Sequence, residues 1–177
     1  MIPLLIAASL LAPSDPPCDA ILKKDGSAHV SAFRDAVRVN IRPEMRERLA
    51  PIVAAIRYAE NGRAGKEYGI LHPRVDPTYR SQAGWCAATV QKNWDRWVKA
   101  GRPDDFITFL GGRYCPLDDP RDKGGLNAHW IPNVKRFSKR FSRKEGGSRV
   151  NSEFGHIRAP KNSVRTFILN APTTPLV

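Results

Sequence analysis

The side chain best placed to do chemistry is Glu60. Leu49, Val53, Ile56 and Glu60 follow one another at spacings of four, three and four, so on a helix they share one face. The carboxyl then stands in line with an apolar stripe, one turn beyond Ile56. A carboxyl in apolar surroundings keeps its proton to higher pH and can serve as a general acid. Asn61 and Gly62 come next and supply a left-handed stop for the helix. Residues 62–79 read as a loop rich in Gly and Pro that nonetheless carries Tyr68, Ile70, Leu71 and His72. Apolar residues so dense in a loop either line a site or tuck the loop onto the core. A surface Glu at a frayed helix end meets the same spacing, so these residues alone leave both readings open.

Other chemistry finds less footing. Asp118, Asp119 and Asp122 with His129 are metal-ligand types, but their spacing fits no compact motif. Aspartates around Pro116 and Pro120 are what turns use, so neither metal nor cofactor is expected. His72 and Cys86 are a base and a nucleophile with no spacing that pairs them. Gly111-Gly112 lacks the preceding strand and following Gly-Lys-Ser/Thr of a phosphate-binding loop. Cys18, Cys86 and Cys115 form no zinc pattern. One Cys86–Cys115 disulfide in an exported chain, or three thiols in one that is not, are both compatible.

The elements that must position these residues are mostly helical. A short helix is predicted over 32–39. Pro43 opens a longer one, with a break expected near Ala50 because Pro51 falls within the pattern. The clearest helix spans 82–100, where Cys86, Val90, Trp94 and Trp97 share a stripe and Lys92, Arg96 and Lys99 form a basic ridge. A short helix after Asp104 is expected to close at Gly111-Gly112. The last, within 127–143, sets Trp130, Val134, Phe137 and Phe141 on one side and Arg136, Lys139, Arg140 and Arg143 on the other. One strand is conceivable at 164–169.

At 177 residues the chain is long enough for one domain, and its net charge is +12. Such a surface is drawn to polyanions: nucleic acid, acidic headgroups or bacterial wall polymers. The apolar run 2–12 has the length of an export signal's hydrophobic region and is too short to span a bilayer. A buried N-terminal segment is the competing reading. Residues 1–30 are accordingly expected to hold signal and linker, and 144–177 to be a basic tail rich in Gly, Ser and Pro. A secreted or periplasmic location follows from the signal, and a cytoplasmic or phage-delivered protein from its absence. No stable membrane insertion of the mature chain is expected.

At Ala59-Glu60-Asn61-Gly62 followed by Tyr68-Gly69-Ile70-Leu71, the chain resembles lysozyme-like lytic transglycosylases and related peptidoglycan hydrolases. In their pattern, a helix ends in a catalytic Glu, a small polar residue and Gly follow, and a loop then carries Tyr/Phe-Gly. Residues 83–90, 109–116 and Leu126-Asn127 with Trp130, Asn133 and Val134 look like the family's later segments, so the resemblance covers about 45–143. It implies a mostly α, lysozyme-like fold over 31–143 with an irregular C-terminal extension. It also implies cleavage of the β-1,4 bond between N-acetylmuramic acid and N-acetylglucosamine in peptidoglycan strands. Glu60 is then the single general acid, which favours transglycosylation over hydrolysis. Asn61, Tyr68, Gly69 and Tyr114 line the substrate, and Trp85, lying off the Cys86–Val90 stripe, offers a stacking face. The alternatives are a non-catalytic wall-binding or structural protein of the same fold, and a basic nucleic-acid-binding module.

Overall fold

The computed structural model describes residues 15–120 and 122–142. The predicted export run, the tail and the strand at 164–169 lie outside them.

Six α-helices follow in order: α1 (Pro16–Asp25), α2 (Ser27–Asn40), α3 (Arg46–Glu60), α4 (Tyr79–Lys99), α5 (Phe106–Tyr114) and α6 (Trp130–Phe141). Short 3-10 turns precede α3 and α6, at Pro43–Met45 and Leu126–His129. The centre is α3, which lies against α6, α1 and α4, while α2 packs on α4 and α1, and α5 on α4 and α6. Leu49, Val53, Ala54, Ala55 and Ile56 of α3 are all fully buried. A helix apolar on every side is one that other helices surround.

The local chemistry accounts for the ends. Asp15 caps α1 by accepting from the Cys18 amide, and Pro16 and Pro17 occupy first-turn positions where a missing N–H leaves no bond unmade. The stretch read as a linker is therefore a helix, anchored through buried Cys18 and Ile21. Thr78 caps α4 through Ser81, and Asp105 caps α5 through Thr108. Asn61 ends α3 in the left-handed conformation at φ 46°.

Two predicted interruptions do not occur. α3 runs through Pro51 without the break expected near Ala50. An internal proline costs about 3 kcal/mol, whereas each buried large aliphatic side chain contributes roughly 1.5–3 kcal/mol. Leu49, Ile52, Val53 and Ile56, all buried around that proline, outweigh it. α5 likewise continues through Gly111-Gly112 to Tyr114, because Ile131 and Trp130 of α6 lie where a side chain at residue 111 would be.

The lysozyme-like fold expected from the resemblance is overturned. Lysozyme-like proteins combine helices with a β-sheet region, and the described residues form a helical bundle with no β-strand. No helix among them is long and apolar enough to cross a membrane.

Candidate functional site

Glu60 sits at the last turn of α3 and turns inward. Its Oε1 accepts from the Trp130 indole N–H of α6 at 2.7 Å. Its Oε2 is buried and has no hydrogen-bond partner. The backbone of Gly69, at φ +70°, closes directly over that oxygen, so a Cβ there would collide with the carboxyl. Burial pushes the Glu60 acid up to about 8, with the Trp130 hydrogen bond and the Arg57 charge pulling the other way. At neutral pH the group is an un-ionised acid sealed into the core.

Its neighbours are equally inward. The Tyr114 hydroxyl donates to the Tyr68 carbonyl at 2.6 Å, while the Tyr114 ring stacks on Trp130. Tyr68 is fully buried and shares a hydrogen bond with Tyr79 at 3.1 Å. Burial holds both phenols far above their ordinary range. Tyr79 donates to Asp25, whose carboxylate receives two bonds from Arg57. Arg57 donates in addition to the Glu67 carbonyl, which ties the loop to α3.

Of the residues singled out from the sequence, the structure gathers Glu60, Tyr68, Gly69 and Tyr114 around one point. It leaves Asn61 at the surface, accepting from Lys24 Nζ at 3.4 Å. Trp85 is exposed on α4 and stacks against His72, with ring centroids 5.3 Å apart. Cys86 and Cys115 are both buried and share no disulfide. Among the described residues no group of three or more His, Cys, Asp and Glu could hold a metal ion. The Asp122 carboxylate instead accepts from the Leu126 and Asn127 amides and caps the turn before α6.

Sequence reasoning misses three partners of this centre. Trp130 is legible as a stripe residue and as part of the resemblance but not as the partner of Glu60, although a buried indole N–H needs an acceptor and an apolar-face Glu needs a donor. Asp25 and Tyr79 carry no signal that joins them to Arg57.

The expected glycosidase, whether transglycosylase or hydrolase, is overturned with the fold. The sheet region typical of a lysozyme-type active site is missing among the described residues, and Glu60 Oε1 and the hydroxyls of both tyrosines are bonded inside the protein. The peptidoglycan-cleaving role and its same-fold, non-catalytic variant go with it.

A second constellation lies on the outside of α6. Lys135, Arg136, Lys139 and Arg140 are exposed; among the described residues only Lys135 has a carboxylate partner, Asp105 at 2.7 Å, while Arg136 donates to the neutral Asn133 side chain at 3.1 Å. Beside them Tyr58 of α3 packs on Phe137 and Phe141, and Lys24 Nζ of α1 lies 4.8 Å from the Tyr58 ring centroid. Burial and the nearby Arg57 lower the Lys24 pKa. Some cations elsewhere have carboxylate partners, Arg38 and Arg80 sharing Asp35 and Arg42 meeting Asp95 and Glu44, while the Lys92, Arg96 and Lys99 ridge of α4 has no ion pair among the described residues.

Comparison of the chain with protein-family models, with curated proteins and with solved structures finds no match.

Proposed function

We propose that the chain is a binding domain for a phosphate-bearing polymer, which it meets through the outer face of α6 and the adjoining end of α1. The observation that carries this reading is the uncompensated row Arg136, Lys139 and Arg140, exposed on one helix with no carboxylate partner among the described residues. Like charges three and four residues apart destabilise a helix by a few tenths of a kcal/mol per pair, and a bound anion relieves that repulsion. Residues 136 and 140 are separated by about 6 Å along the helix axis, close enough to serve one dense polyanion together. Arginine adds a planar fork suited to phosphate.

The aromatic side chains favour contact with backbone charge over base stacking. The Tyr58 ring is covered by Phe137, Phe141 and Lys24, and Phe137 carries the Arg136 guanidinium 4.8 Å from its centroid. Neither offers a free face of the kind on which bases stack. Recognition on this reading is electrostatic and indifferent to sequence.

The test is binding measured against salt, with short duplex DNA, a phosphodiester wall polymer and isolated peptidoglycan as separate arms. Affinity for the phosphate-bearing arms should fall linearly on a log–log plot. The Arg136→Gln, Lys139→Gln, Arg140→Gln triple variant should reduce the slope by roughly 0.7–0.9 for each cation that contacts a phosphate. A triple variant that binds as the wild type does, or a wild type with no salt-dependent binding to either phosphate polymer, overturns the proposal.

A further inference from the structure

Between α3 and α4 the chain is held down at a series of points that differ in kind. Gly65 donates to Glu67 Oε1, and the Glu67 carbonyl accepts from Arg57. The Tyr68 carbonyl accepts from Tyr114. The Gln82 side-chain amide spans Ile70, accepting from its N–H at 3.3 Å and donating to its carbonyl at 2.8 Å. Each of these contacts is a hydrogen bond with donor and acceptor both in place, although the second oxygen of the Glu67 carboxyl is buried without a partner. The contact at Gly69 is different, because the backbone lies on a carboxyl oxygen that has no donor.

That arrangement tolerates only one protonation state. As a neutral acid, Glu60 loses one hydrogen bond by being enclosed. As a carboxylate it would carry a buried charge with the Trp130 N–H as its one donor, which is far more costly. The groups around it do not supply the missing compensation. Arg57, on the same helix, is committed to Asp25 of α1 and to the loop carbonyl of Glu67. Cys86 of α4 and Tyr114 of α5 are kept neutral by burial, and α6 contributes only the uncharged indole. In the loop, Tyr68 is likewise neutral and turned toward Tyr79, and the buried Glu67 carboxyl accepts from the Gly65 amide and offers Glu60 no positive charge. Water is the remaining source of donors, and it reaches Oε2 only if Gly69 moves.

We propose that Glu60 is a proton-operated latch on the loop 62–72. Protonated, it lies beneath Gly69 and the loop is closed. Ionised, it draws in water and the loop lifts at Gly69, while the Arg57–Asp25 pair and the helices stay in place. This inference is independent of the polyanion reading, since none of its residues belongs to the α6 face.

Hydrogen exchange tests it directly, with rates corrected for the intrinsic pH dependence of amide exchange. As pH rises from the ordinary carboxyl value of 4.5 toward the Glu60 midpoint at about 8, protection of the Gly69 and Ile70 amides should fall by up to about tenfold per pH unit, as expected for an opening coupled to loss of one proton, and above the midpoint it should level off. Amides in the middle of α3 and α4 should keep their protection. In Glu60→Gln, which imitates the neutral acid, loop protection should be flat with pH. Should that variant fail to fold, the pH dependence of the Gly69 and Ile70 amide chemical shifts in the wild type gives an independent reading. A single transition shared by both amides and absent from mid-helix amides is expected. Loop protection and shifts in the wild type that ignore pH between 6 and 9, or a Glu60→Gln loop that still opens with pH, would overturn the latch.

Discussion

Arg57 grips Asp25 at two points, Nε to Oδ2 at 3.0 Å and Nη2 to Oδ1 at 2.6 Å, with both side chains more than nine-tenths withdrawn from solvent. The pair binds the end of α1 to α3. Through the Arg57 bond to the Glu67 carbonyl and the Tyr79 bond to Asp25, it also reaches the loop and the start of α4. Two charges can be kept this deep because their geometry is bidentate and their remaining polar atoms find partners.

Breaking that pair should be among the most damaging single changes in the chain. Asp25→Ala strands the Arg57 guanidinium and is expected to cost about 3–5 kcal/mol. Replacing both partners with Leu and Met should cost clearly less than the two single changes summed, since no buried charge is left alone. Urea unfolding of the wild type, Asp25→Leu, Arg57→Met and the double variant measures this. Additive losses would mean that the two residues do not act as a unit.

Global stability should fall as pH rises from about 4.5 to about 8, the ordinary and the raised pKa of Glu60. The sign follows from proton counting. Between those values the folded protein keeps the Glu60 proton and the unfolded chain has lost it, so raising pH favours unfolding. Each pH unit within the window removes up to roughly 1.4 kcal/mol. Below the window both states are protonated at this residue, above it both are ionised, and the contribution is flat. The Glu60→Gln protein should lack this slope. Denaturant midpoints across the range decide the matter, and identical pH profiles for the two proteins would show that Glu60 ionises freely in the folded state.

Gly69→Ala combines two faults, a side chain at φ +70° and a collision with the Glu60 carboxyl. The backbone strain alone is of order 1 kcal/mol, and the collision should raise the total to about 2–4 kcal/mol. Trimming the obstacle in Glu60→Ala should recover the steric part and leave the strain. The pair is therefore expected to be non-additive. Equal losses from Gly69→Ala in the two backgrounds would remove the Glu60 contact from the account.

The legible and illegible parts of this fold divide along physical lines. α4 is visible in advance because its stripe from Cys86 to Trp97 runs for several turns, and the end of α3 is visible because Asn61-Gly62 is a local stop. α1 is hidden by its own prolines, which open a helix as well as they break one, and only the Asp15 cap distinguishes the cases. The Glu-Asn-Gly turn with its Tyr-Gly loop is also local. Any fold that ends a helix beneath a glycine loop can use it, so it carries no information about a sheet elsewhere. Glu60, Tyr68, Gly69 and Tyr114 do converge, but Trp130 and the Asp25–Arg57–Tyr79 chain meet them through helix packing that sequence spacing cannot express.

Adjacent glycines in α5 give the sharpest contrast between packing and helix propensity. At Gly111 an added methyl would run into Ile131 and approach the Trp130 ring, whereas at Gly112 it would meet nothing. Both lie inside the helix, so alanine should gain up to about 1 kcal/mol from propensity at either place. At Gly112 that gain should appear in full. At Gly111 the overlap of α5 with α6 should reverse it, leaving a net loss of about 1–3 kcal/mol, and Ile131→Ala introduced alongside should bring most of it back. Thermal or urea unfolding of Gly111→Ala, Gly112→Ala and the Gly111→Ala, Ile131→Ala double variant is the check. If Gly111→Ala stabilises as much as Gly112→Ala does, then α5 and α6 do not meet as closely as Ile131 over Gly111 requires, and the glycine serves some purpose other than that approach.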